Sequence, residues 1–98
     1  RMKFRSGKAY VERFGLYLRG GGSLGERAGY WQLWQIWAKV SPWTSNNIGN
    51  LWFAPSERKV IVSIEGVPGK QEGVASSPQE ALESFVLRFH REIEQYWS

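Results

Sequence analysis

Tyr30-Trp31-Gln32-Leu33-Trp34-Gln35-Ile36-Trp37-Ala38-Lys39-Val40 is the stretch whose reading decides the fold. Read as a helix, it lines up Gln32, Gln35 and Lys39 as one polar stripe, with Ser23 and Glu26 spaced as a capping box ahead of it. Read as a strand, it puts Trp34, Ile36, Ala38 and Val40 on one face and Trp31, Leu33, Gln35, Trp37 and Lys39 on the other. Gly25 and Gly29 would each cost a helix about 1 kcal/mol, whereas Trp, Tyr, Ile and Val suit a pleated surface. The strand is the favoured reading.

The flanking segments follow the same logic. In residues 9–19, Tyr10, Phe14, Leu16 and Leu18 alternate onto one face, with Val11, Arg13, Tyr17 and Arg19 on the other, which predicts a strand. Residues 20–29 hold five Gly and read as a flexible loop. Residues 41–50, with Pro42, Asn46, Asn47 and Gly49, also read as a loop. Leu51 to Ala54 and Lys59 to Ile64 are apolar β-rich runs joined by a turn at Pro55 to Arg58, with Val60, Val62 and Ile64 pointing to the core. Residues 65–76 are a polar, Gly-containing crossover.

The last segment is the clearest. Ser77-Pro78-Gln79-Glu80 is a capping box with Pro at the first helical position. Leu82, Phe85, Val86, Phe89, Ile93 and Tyr96 or Trp97 then recur at helical spacing, so a helix is predicted over 78–97. The expected fold is α+β: one domain over residues 1–98, with an antiparallel four-stranded sheet in the order ββββα and the C-terminal helix packed on one face. A basic N-terminal segment at 1–7 precedes it.

Composition narrows the chemistry. The chain has 98 residues, 15 of them aromatic, with six Trp, four Tyr and five Phe. Two or three large rings suffice for a core of this size, so the surplus points outward or builds an unusually aromatic interior. There is no Cys, which excludes disulfides, thiolate metal sites and cysteine nucleophiles. No apolar run approaches the length of a membrane span, and no signal-peptide pattern opens the sequence. A cytoplasmic protein with no membrane partner is expected, with Met2 as its start. The net charge of +4 is unevenly spread. Residues 1–29 carry seven basic and two acidic side chains, while residues 61–98 carry three basic and six acidic ones. A basic end favours polyanions.

Catalytic arrangements find little support. Gly20-x-Gly22-x-x-Gly25 has the spacing of a dinucleotide fingerprint, but no acidic residue follows at positions 40–50 and one short domain cannot hold the parallel βαβ unit. His90 is the only His, and the chain has no Asp, so neither a Ser-His-Asp triad nor a multi-His metal site can be assembled. His90 is expected on the solvated helix face. The nine Glu form no recognisable acid–base pair, although Glu12 falls on the presumed core face near its rim. No enzyme activity, no cofactor and no metal are expected.

One pattern carries a mechanism. If residues 9–19 and 30–40 are neighbouring strands, the face away from the helix takes Arg13, Tyr17, Arg19, Trp31, Gln35, Trp37 and Lys39. Rings interleaved with cations stack bases and neutralise phosphates, and Arg pairs with Trp faces. Arg27, at the end of the Gly-rich loop, adds a phosphate contact. The candidate binding residues are Arg13, Tyr17, Arg19, Arg27, Trp31, Trp37 and Lys39. The partner is a single-stranded nucleic acid, or alternatively an acidic protein in an adaptor or inhibitor role. A homodimer would use the same rings. Over residues 9–97 the ββββα layout with its acidic, aromatic last helix resembles the single-stranded nucleic-acid binders of the PUR and Whirly type. That resemblance implies a curved four-stranded sheet that binds single strands as a dimer.

Overall fold

A computed structural model of the chain describes residues 3–23 and 31–97. The order of elements is α1 (Gly7–Phe14), β1 (Leu16–Ser23), β2 (Gln32–Ser41), β3 (Thr44–Ala54), β4 (Lys59–Ile64), β5 (Gln71–Val74) and α2 (Pro78–Trp97). The five strands form one antiparallel meander in chain order. The expected four-stranded ββββα arrangement is therefore wrong on two counts: the sheet has a fifth strand, and helices lie at both ends of the chain. The resemblance in layout to the PUR and Whirly binders falls with it.

The first correction lies in residues 7–14. Gly7, Tyr10, Val11 and Phe14 are buried, which is the 3–4–7 spacing of a helix face. Tyr10 and Phe14 are four residues apart, a separation that fits either a strand or a helix, and Val11 decides it. The helix is bounded by local chemistry at each end. The Ser6 hydroxyl accepts a hydrogen bond from the Ala9 amide at 3.2 Å. Gly15 closes the helix in the left-handed region, at φ 69°. Beyond it β1 begins and runs to Ser23, so residues 20–23 of the predicted loop are strand. The strand has an irregularity between Gly20 and Gly22, and the remainder of the predicted loop, 24–29, lies outside the described residues.

The run at 30–40 is a strand, β2. Its partner β3 occupies much of the predicted loop at 41–50. Only Pro42 and Trp43 turn there, and Asn46, Asn47, Gly49 and Asn50 are strand residues. Asn and Gly have weak strand preference, but pairing on both sides overrides it. A bulge between Ile36 and Trp37 absorbs Ile48, which is buried. Gly49 has a packing reason, since a Cβ there would collide with the Ser63 carbonyl. The predicted crossover at 65–76 contains β5, which pairs Gln71 with Val62 and Val74 with Lys59. Its composition hides it, because an exposed edge strand needs no apolar alternation.

Both helices lie on the same face of the sheet. Tyr10, Val11 and Phe14 from α1, and Ala81, Leu82, Phe85, Val86 and Ile93 from α2, share one core with Leu16, Ile36, Ala38, Leu51, Phe53, Val60, Val62 and Ile64. The α2 cap matches its sequence signature: Glu80 N–H donates to the Ser77 hydroxyl at 3.1 Å, and the Glu80 carboxylate accepts from the Ser76 amide. Phe89 breaks helical geometry, at φ −112° and ψ 21°, and bends α2 there. Val40, expected on the core side, is 59% exposed because it lies near the β2–β3 hairpin tip. Tyr96 is exposed as well and donates to the Glu65 carboxylate at 3.2 Å.

His90 is not a solvated surface residue. Its ring stacks on Tyr10 at 4.3 Å, and its Nδ1 lies 3.3 Å from a Glu94 carboxylate oxygen. Glu12, placed on the core face by strand parity, is exposed on α1.

The two helices cross closely at Gly7, where an added Cβ would run into the Glu83 main-chain carbonyl. Gly7→Ala should therefore force α1 away from α2 and destabilise the fold by about 1–3 kcal/mol in urea unfolding. Its helix-propensity gain of under about 1 kcal/mol does not offset this. A neutral or stabilised Gly7→Ala would contradict the close crossing.

Candidate functional site

The sheet face opposite the helices is built by strand register. Cross-strand partners share a face, so each antiparallel pairing places a row of side chains there. The first row is Tyr17, Trp37 and Asn47; the second is Arg19, Gln35, Asn50 and Ser63; the third is Leu33, Trp52, Ile61 and Glu72. Neither helix covers these rows. Tyr17, Leu33, Trp37, Trp52 and Ile61 are half-buried, while Arg19, Lys39 and Glu72 are exposed.

Two cations lie on two indole rings. The Arg19 guanidinium is 4.8 Å from the Trp37 ring centre, and the Lys70 ammonium is 5.0 Å from that of Trp52. Arg19 reaches Trp37 diagonally, from the position beside Trp37's direct partner Tyr17. The Gln35 side-chain oxygen accepts from the Trp37 indole N–H at 3.1 Å, which ties the ring to a neighbour on its own strand. Trp37 and Trp52 sit on adjacent strands, about four residues apart in register, so the rings are spaced by roughly 14 Å along the strand direction. Four cations, Arg19, Lys39, Lys59 and Lys70, accompany Glu72 on this face, and Lys59 lies 3.5 Å from the Glu57 carboxylate.

The sequence-derived set divides as follows. Tyr17, Arg19, Trp37 and Lys39 come together on the open face. Arg13 does not: it is exposed on the last turn of α1, because residues 7–14 are helical and its parity with Tyr17 is lost. Trp31 is half-buried one residue before β2, at the strand's entrance. Arg27 lies outside the described residues. The sequence reading missed Trp52 and Lys70. Trp52 sits inside the apolar run Leu51-Trp52-Phe53-Ala54, which carries no alternation to reveal its face. Lys70 immediately precedes β5, a strand whose sequence carries no apolar alternation.

Two other features are distinct from this face. A shallow groove of about 110 Å³ between β5 and α2 is lined by Val60, Val62, Gly73, Phe85, Phe89 and Arg88, among others. Trp43, at the β2–β3 hairpin tip, is 92% exposed. Among the described residues no cluster of three His, Asp or Glu side chains is placed to hold a metal ion, and no helix is long and apolar enough to cross a membrane.

No protein family, curated protein or solved structure matches the chain. The class is defined by the fold alone: a small α+β domain with one sheet face covered by two helices and the other left to an aromatic and basic array.

Proposed function

We propose that the protein is a non-enzymatic binding module that takes a single-stranded nucleic acid on its open sheet face. The observation that carries this reading is the pairing of Arg19 with Trp37 and Lys70 with Trp52, beside Tyr17 and Lys39. Each ring is a platform for one base, and each neighbouring cation transfers from the ring to a phosphate when the strand arrives. Gln35, Asn50 and Ser63, between the two rings, offer hydrogen bonds to sugar and base edges. Base stacking is tolerant of sequence, so weak sequence preference is expected.

Salt dependence tests this directly. Arg19, Lys39 and Lys70, with Lys59 set aside as the partner of Glu57, imply about three phosphate contacts and a logarithmic salt slope near −2 for a single strand. Affinity for a short oligonucleotide, read by Trp fluorescence, should fall about 15–20-fold between 50 and 200 mM salt. Removing Arg19, Lys39 or Lys70 individually should each reduce the slope by about 0.7. Absence of any fluorescence change at low salt, or binding indifferent to salt, would overturn the reading in favour of an acidic protein partner or none.

A further inference from the structure

We propose that the outer edge of β1, terminal among the described strands, pairs with a second copy of this chain, antiparallel about Leu18, to give a continuous ten-stranded sheet. The argument starts from backbone parity. The Lys39 amide donates to the Gly15 carbonyl at 2.8 Å, and the register of β1 with β2 pairs Leu16 with Ala38. Gly15 and Lys39 thus form a hydrogen-bonded pair, and along the strand Tyr17 and Arg19 also turn their N–H and C=O groups toward β2. Leu16, Leu18 and Gly20 turn theirs to the outside, where β1 is the terminal strand of the sheet. Such a row is a ready template for another strand.

The side chains select the register. A twofold axis at Leu18 matches the Leu18 N–H and C=O with those of the copy's Leu18, and Leu16 with the copy's Gly20, in both directions. It sets Tyr17 opposite the copy's Arg19 on the open face, as a non-hydrogen-bonded pair in which side chains approach most closely. Each guanidinium, already resting on Trp37, then gains a second ring on its other flank. On the helix side the half-buried Leu18 meets its own copy. Shifting the axis by one residue either way sets Arg19 against Arg19 or Tyr17 against Tyr17. The edge at β5 is a poorer template, because it is only four residues long. The pairing leaves the open face uncovered, although it engages Tyr17 and Arg19, which the nucleic-acid reading also uses.

The test places opposite charges in turn at one half-buried position of the open face, Tyr17, and is read as mass by sedimentation velocity without nucleic acid. The wild-type chain should approach twice its 11.3 kDa mass as concentration rises into the hundred-micromolar range. Tyr17→Lys sets Lys against the copy's Arg19 and should shift the dimer midpoint at least tenfold higher. Tyr17→Glu sets a carboxylate against the same Arg19 and should hold or lower the midpoint. A second measurement needs no variant: amide exchange at Leu18 should slow as concentration rises, with exchange at Tyr17 unaffected. A wild-type chain that stays monomeric, two variants that dimerise alike, or a Leu18 amide insensitive to concentration would each overturn the proposal.

Discussion

Tyr10→Ala should destabilise the protein by about 3–5 kcal/mol, the scale of deleting a large buried ring. Tyr10 is fully buried, and its ring is the centre of the contact between α1 and the rest of the fold. It stacks on His90 at 4.3 Å, lies 6.0 Å from the Phe14 ring, and receives the edge of Phe4 at 5.0 Å. Its hydroxyl accepts the Phe4 amide at 2.9 Å. Truncation empties this volume and leaves the His90 ring without its stacking surface. Tyr10→Phe keeps the ring and gives up only the hydroxyl acceptor, for about 1 kcal/mol. Urea unfolding of both variants separates packing from hydrogen bonding. A Tyr10→Ala loss below about 1 kcal/mol would mean that α1 does not dock as described.

Loss of the two indoles should have the largest effect on function. Trp37→Ala and Trp52→Ala should each weaken oligonucleotide binding by about 1–3 kcal/mol, roughly 5–150-fold in affinity. The rings stand on separate strands with separate cations, so the double variant should lose close to the sum of the two effects. Circular dichroism checks that the sheet persists, because both rings are only half-buried. Trp43→Ala is the matched control: that ring is more exposed than either but sits at the hairpin tip, away from the face, and its removal should leave affinity unchanged. If Trp43→Ala is the damaging substitution, the binding surface is the tip and the sheet face has another role.

Legibility in the sequence varied with the physical signal each element carries. The α2 start was explicit, because a cap is a local hydrogen-bond pattern and Ser77, Pro78 and Glu80 spell it out. β2 was legible from its β-branched and aromatic content once the flanking Gly residues weighed against a helix. α1 is obscured because Tyr10 and Phe14 satisfy periods of both 2 and 3.6, and because Gly15, the left-handed helix end, stands between two apolar residues. β3 was obscured by Asn46, Asn47 and Gly49, residues that a bulge and a tight approach to Ser63 require. β5 offers no apolar pattern at all. The open face was half legible. Parity within β1 and β2 places Tyr17, Arg19, Trp37 and Lys39 together whether β1 begins at residue 9 or 16. Arg13 depended on the wrong start, and Trp52 and Lys70 depended on pairings that only the assembled sheet reveals.

The central claim is that the uncovered sheet face is the binding surface. Titrating isotope-labelled protein with a short single-stranded oligonucleotide at low salt, and following amide and indole resonances, tests it most directly. The indole signals of Trp37 and Trp52 should move together with the amides of Tyr17, Arg19, Gln35 and Asn50, while those of α1 and α2 stay in place. An unchanged spectrum, or shifts confined to the helices or to Trp43, would contradict the claim.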